Sequence, residues 1–334
     1  MSIACWAAFA AKEGLRPFQY EPKELGPREV EINVTHCGIC HSDLHLIDND
    51  WGISTYPLVP GHEIIGTVSA VGTNVENLRA GRRVGVGWQC GACLDCDQCR
   101  RGEENLCLRN QPTCVGHYGG FGKSVRVDSR FAFPLPDGLE SSTAAPLLGA
   151  GVTVFTPLRA FEVTPVMRVG VIGIGGSGHL ALQFARAFGC EVTAFSSTPA
   201  KEQEAREFGA HHFVVSGDSA AIAKAANSFD FLLSTTTADL DWIAYMNVLR
   251  PRGKLCLVGA APKPLTLPAF AFIVGQKTVC GSSVGGRATM VEMLGFAARH
   301  GIKAQAELMP MSTANAAVAK VAGNQARYRM VLVN

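Results

Sequence analysis

The spacing of apolar and polar positions divides the chain into two patterns. Up to about residue 148, short β-rich runs alternate with glycine-bearing turns, and residues 30–35, 64–71, 83–86 and 124–127 read as strands. Helical periods are few there, apart from residues 42–47 and the segment before Gly149. From about Thr153 the order becomes strand (168–174), helix through Phe188 stopped by Gly189, strand (191–195), and charged helix (200–208) stopped by Gly209. Strand 212–215, the Ala-rich run 220–226, strand 229–234, helix 240–249, a turn at Pro251, Arg252 and Gly253, and strand 254–258 follow. Alternation at this pitch predicts an α/β fold with a doubly wound parallel sheet. The end of the chain, helix 289–299, helix 313–321 and strand 328–333, shows no further crossover rhythm and reads as a return to the first, β-rich domain. No internal repeat or low-complexity tract interrupts this.

With 334 residues the chain is long for one core, so two domains are expected. Its 47% apolar and 17% charged residues suit a soluble globular protein. A formal net charge of +2, without a run of Lys and Arg, gives no electrostatic case for nucleic acid. Residues 1–10 are apolar and end in small residues, yet they lack the leading positive charges of a signal peptide, and Lys12 and Glu13 follow at once; a first strand is expected. The longest apolar stretch, about residues 144–158, is broken by Pro146, Gly149, Gly151 and Pro157, so no membrane span is expected. Of twelve cysteines, Cys5, Cys190, Cys256 and Cys280 sit in apolar surroundings and read as small buried hydrophobes. The crowding of Cys90, Cys93, Cys96, Cys99 and Cys107 instead points to metal ligands in a reducing compartment, the cytoplasm.

Four motifs carry candidate chemistry. Gly173, Gly175, Gly176, Ser177 and Gly178 follow an apolar strand and open a helix, the context of a dinucleotide site. Gly173 makes the tight turn, Gly175 lets a pyrophosphate approach, and Gly178 packs helix on sheet, with the helix N-terminus facing the anion. About twenty residues on, an acid would grip a ribose 2′-hydroxyl; here the strand ends in Ser196, Ser197 and Thr198 with Lys201 a turn later, which suits the 2′-phosphate of NADP. The same hydroxyls before Pro199 also suit a helix cap. Cys93, Cys96, Cys99 and Cys107 can close a tetrahedron around one zinc and leave no position for substrate, with Cys90 a bystander. Finally, Cys37, Cys40, His41, Ser42, Asp43 and His45 pair with Gly61, His62 and Glu63: zinc ligands, a hydroxyl to hold an alcohol proton, and a second histidine to pass it to solvent. Taken alone, that last set also fits core cysteines and a polar surface.

Cys40-His-Ser-Asp43, Gly61-His-Glu63, the four-cysteine loop, Pro146-Leu-Leu before Ala150-Gly-Val-Thr153, the glycine motif and Tyr328-Arg329 follow one another in an order that resembles the zinc-containing medium-chain dehydrogenase/reductase family along nearly the whole chain. The cinnamyl alcohol dehydrogenase-like branch is most similar. The resemblance implies a GroES-like catalytic domain of residues 1–149 and 286–334, with a Rossmann domain of residues 150–285 inserted. It places catalytic zinc on Cys40 and His62, with Glu63 as an inner or alternate ligand. Ser42 and His45 become the proton relay, supported by Asp43. Thr153, Thr235, Gly259, Ser282 and Arg329 become cofactor contacts. The implied activity is hydride transfer between NADP(H) and a primary alcohol or aldehyde, in a homodimer for which the apolar segment 270–280 offers an edge.

One position departs from the family. Its members carry a cysteine as third protein ligand where this chain has Gly149. The departure implies a catalytic zinc that is held weakly and incompletely filled. Two rival readings follow: a zinc-poor NADPH reductase of activated C=C or quinone substrates, against which Cys40 and His62 argue, and a non-catalytic NADP-binding relative, which only Gly149 favours. Trp51, Tyr56 and Trp88 are candidate pocket walls.

Overall fold

The computed structural model describes residues 2–261 and 263–334. Met1, the first residue of the expected opening strand, lies outside them; that strand runs Ile3–Ala7 and pairs antiparallel with Arg16–Tyr20. The chain divides into two compact units, one running up to Val152 and resuming at Val284, the other Thr153–Ser283.

In the first unit the long strand Glu29–Ile39 is the spine. Its Val30, Ile32 and Val34 are buried at alternate positions, so one face lines a core shared with Ile64, Val68, Val84 and Val125. It pairs antiparallel with Glu63–Val71 along one edge, and with Ser124–Asp128 and Arg329–Val333 along the other. Residues near the two ends of the sequence therefore lie in one sheet. The expectation of no further crossover near the end is corrected here. Ala306–Pro310 is a strand, the helix Ala314–Ala322 follows it, and Arg329–Val333 pairs with it in parallel, which makes a β-α-β unit.

The second unit is one parallel sheet of six strands. Numbered from Arg168–Ile172 as first, the neighbours run third (His212–Val215), second (Glu191–Ser196), first, fourth (Phe229–Ser234), fifth (Leu249–Leu257) and sixth (Thr278–Gly281). The order reverses between the first and fourth strands, and ligands bind outside the carboxyl ends of the strands at such a switch point. The turn expected at Pro251, Arg252 and Gly253 lies inside the fifth strand instead. The ladder accommodates it by a register shift and a positive φ of 65° at Arg252, so the local turn signal is absorbed as an irregularity of the sheet. Among the described residues no helix is long and apolar enough to cross a membrane.

Candidate zinc and dinucleotide sites

In the first unit the site is organised by one buried carboxylate. Cys40 directly follows the spine strand and is the N-cap of the helix His41–Asp48. Asp43, at the third helical position, reaches back so that its Oδ2 accepts from the Cys40 N–H at 2.9 Å. Its Oδ1 accepts from the Gly61 N–H and from His62 Nδ1, each at 2.9 Å. Thus Asp43 joins the two loops that carry Cys40 and His62, and its hold on Nδ1 leaves Nε2 as the nitrogen that can face a metal. A carboxylate behind a histidine is the usual way to orient a metal ligand. Cys40, His62 and Glu63 place one ligand atom each within 4.8 Å of one another, which suits a common tetrahedral centre. Burial raises the Cys40 thiol, but hydrogen bonding to His62 and the charges of His62 and Arg329 outweigh it and hold Cys40 below the ordinary thiol range. Burial disfavours the His62 cation, yet Asp43, Cys114 and Cys40 hold its pKa well above the ordinary value.

Glu63 opens its strand opposite Gly38, and both carboxylate oxygens accept from Arg329 Nη2 at 2.6 Å. The Ala150 N–H donates to Oε1 at 3.2 Å. A Cβ built on Gly149 would sit 2.9 Å from Glu63 Cγ and 3.0 Å from Cδ, closer still to Oε1. The carboxylate therefore fills the room that a side chain at position 149 would take. Cys37 lies apart from these ligands, its Sγ directed at the Gly38 carbonyl 3.7 Å away.

The relay residues lie on the same short helix. Ser42 Oγ is 3.7 Å from Cys40 Sγ, and His45 Nδ1 pairs with Asp50 Oδ2 at 2.7 Å. The Trp51 ring stands 5.1 Å from His45 and 6.1 Å from Trp88, and Trp88 stands 5.0 Å from His62. Trp51 and Trp88 thus form one wall linking the two histidines. The Tyr56 hydroxyl donates to the Ile47 carbonyl at 2.8 Å. Two residues escaped the sequence reading. Asp50 is the carboxylate partner of His45, and its position five residues on was a usable signal. Cys114 lies beside His62 and Asp43, but nothing in its local sequence marks it.

In the four-cysteine loop Cys93 Sγ is 3.7 Å from Cys99 Sγ and 3.4 Å from Cys107 Sγ. Zinc–sulfur bonds near 2.3 Å give tetrahedral edges of about 3.8 Å, so the donor set fits zinc. Backbone N–H groups point at the sulfurs, that of Cys96 at Cys93 and that of Arg109 at Cys107, each at 3.3 Å. The N–H groups of Asp95 and Cys96 lower the Cys93 thiol to about 6, favouring the thiolate that a metal needs. Cys90 turns away to the Gln111 and Pro112 carbonyls.

In the second unit the glycines divide the labour as their spacing requires. Gly173 has φ of 88°, and Thr235 Oγ1 donates to its carbonyl at 2.9 Å. A Cβ on Gly175 would meet nothing within 4 Å, so the backbone stays open to a phosphate. A Cβ on Gly178 would strike the Gly173 carbonyl, and one on Gly259 would lie 2.9 Å from the Thr235 carbonyl carbon. Gly176 and Ser177 complete the turn before the helix Gly178–Ala187. Lys201 Nζ donates to the Ile174 carbonyl at 2.8 Å. Ser196 is buried with its Oγ accepting from the Thr198 N–H, whereas Ser197 and Thr198 are exposed at the strand tip. Ser282 follows the sixth strand and Thr153 lies in the helix Ala150–Ala160. Arg329 belongs to the first unit, bound to Glu63.

Comparison with known proteins agrees with this geometry. Residues 26–137 match the family model of the alcohol dehydrogenase GroES-like domain, and residues 176–299 that of the zinc-binding dehydrogenases. An aldehyde reductase of Synechocystis sp. is 47% identical over 99% of this chain and 98% of its own. A cinnamyl alcohol dehydrogenase of Sorghum bicolor superposes with a TM-score of 0.96 at 39% identity, covering 100% of this chain and 98% of that one. The CAD of Helicobacter pylori, solved with NADP(H), gives 0.92 at 31% identity, again covering 100% and 98%. The expected GroES-like and Rossmann folds are therefore both present, and the chain belongs to the zinc-binding medium-chain alcohol dehydrogenases, in their cinnamyl alcohol dehydrogenase-like branch.

Proposed function

We propose that the chain is an NADP(H)-dependent alcohol dehydrogenase and aldehyde reductase of the zinc type, acting on a small primary alcohol or aldehyde. The observation that carries this reading is the convergence of Cys40, His62 and Glu63 around Asp43, beside a serine and a histidine–aspartate pair. Zinc held there supplies a Lewis acid that polarises the substrate oxygen. The nicotinamide supplies or accepts the hydride. Ser42 takes the hydroxyl proton, and His45, oriented by Asp50, passes it to solvent. Trp51 and Trp88 give an apolar wall for the substrate carbon chain and keep water from the reacting carbon. The exposed hydroxyls of Ser197 and Thr198, with Lys201 nearby and no acid at the strand tip, favour the 2′-phosphate of NADP. The solved relative that holds NADP(H) supports the same choice.

A second zinc belongs to Cys93, Cys96, Cys99 and Cys107, with a structural role. The catalytic zinc is incompletely filled because Gly149 brings no thiolate and Glu63 is engaged by Arg329. The chain acts as a cytoplasmic homodimer joined at the exposed edge strand Thr278–Gly281, beside Phe270 and Ile273, which are 73% and 66% exposed. Oxidation of NADPH by benzaldehyde, with and without added zinc, tests the reading. Zinc-stimulated reduction faster with NADPH than NADH is expected. Reduction of quinones alone, indifferent to zinc, would overturn it.

A further inference from the structure

We propose that Arg329 sets the metal affinity of the Cys40–His62–Glu63 site by holding Glu63 as an internal counter-ion, so that a divalent cation enters in competition with a guanidinium. The inference rests on the reading that these three residues hold zinc. Both members of the pair are buried, Glu63 at 0% and Arg329 at 4% exposure. Arg329 Nη2 donates to both carboxylate oxygens, and Nε has no partner among the described residues. The negative charges of Glu63 and Cys40 both favour the guanidinium cation, so the two anionic ligands of the site share one protein cation. A buried cation with so few acceptors depends on those two anions.

Gly149 makes this consequential. With no side chain there, the Glu63 carboxylate occupies the room a Cβ would take, and among the described residues it is the one carboxylate grouped with Cys40 and His62. Cys114 is grouped with His62 and Asp43 and not with Cys40, so Glu63 is the group placed to join Cys40 and His62. The replacement for the missing thiolate is therefore already bound to Arg329. Oε1 also accepts from Ala150, which leaves Oε2 the oxygen with more free lone-pair capacity. A metal taking Oε2 either draws the carboxylate off the guanidinium or sits beside an unscreened positive charge. Both routes weaken binding, and both are relieved by removing Arg329's charge.

The test is chelator competition for the second metal, with zinc and with cobalt(II), whose visible spectrum reports a change of ligand. The four-cysteine site serves as an internal reference in each variant. Arg329→Gln is expected to tighten the second site by about tenfold or more, and Glu63→Gln to weaken it by about 10–100-fold. In the Glu63→Gln background, the further change Arg329→Gln should have a much smaller effect. If Arg329→Gln folds poorly without metal, Arg329→Lys, which keeps the charge on a shorter side chain that reaches Glu63 less closely, should tighten binding by a smaller factor. Added zinc should then raise the Tm of the Gln variant more than that of the unmodified protein. A second metal bound by the unmodified protein with an affinity that neither Arg329 variant raises overturns the inference and spares the zinc reading. No second metal in any variant, even in excess zinc, overturns both.

Discussion

Gly149 is worth one missing thiolate, and its neighbours decide what that costs. From chemistry alone, a cysteine restored there should add a ligand and raise zinc content. Glu63 occupies that space, so Gly149→Cys must also displace a buried carboxylate that Arg329 holds. Overpacking of this kind costs about 1–3 kcal/mol when nothing yields. The variant should thus have a lower Tm than the unmodified protein when metal-free, and a larger rise when zinc is added. Equal metal-free melting temperatures and unchanged zinc content would falsify this account of the site. The motif residues themselves were legible because Cys40, His62 and Glu63 are chemically distinctive and closely spaced. Their bracing was not: Asp43 reaches Gly61 and His62 across a loop, Arg329 reaches Glu63 over 266 positions, and neither contact leaves a local trace. The placement of Ser196 at the end of its strand was legible in sequence, but its burial was not.

At the scale of elements, the tip of the second Rossmann strand gives a sharper cofactor test than the sequence could. Ser196 is buried, so an acid there would disturb the sheet as well as repel a phosphate. Ser197 is exposed, and Ser197→Asp should lower kcat/KM for NADPH and raise it for NADH while leaving Tm unchanged. Equal use of both cofactors by the unmodified protein would remove the basis for the choice. On the proposed reading zinc ties the Cys93–Cys107 loop together, and structural zinc contributes folding free energy directly. Cys107→Ser should lower zinc content by about one per chain and lower Tm in the same preparation; loss of neither would refute the zinc assignment. Elements with buried faces were visible in sequence, as in the parallel strands whose apolar runs are continuous. Ala306–Pro310 was not visible, because it lies at a sheet edge, ends in proline and leaves Leu308 exposed, so no buried alternation marks it. The turn signal at Pro251 is real and survives as a bulge within Leu249–Leu257: Leu249 and Lys254 pair with Phe229 and Phe231, and the residues between them have no partner in that ladder.

At the scale of the whole molecule, the first unit needs both early and late residues. Arg329–Val333 closes the sheet against Glu29–Ile39, whereas the second unit is continuous in sequence. On a ribosome adding about 5–20 residues per second, Cys40, His62 and Glu63 emerge on the order of tens of seconds before Arg329. During that interval the carboxylate and thiolate lack their protein cation, and zinc in the surrounding medium meets no competitor. The second metal should therefore be captured more readily by the nascent chain than by the finished protein. Protein synthesised in a cell-free system with zinc should retain more second-site metal than protein made without it and given the same zinc afterwards. Equal retention at early times would show that the finished site opens fast enough for birth order to leave no mark. On this view the history of a chain, as well as its sequence, determines how much of a preparation is active.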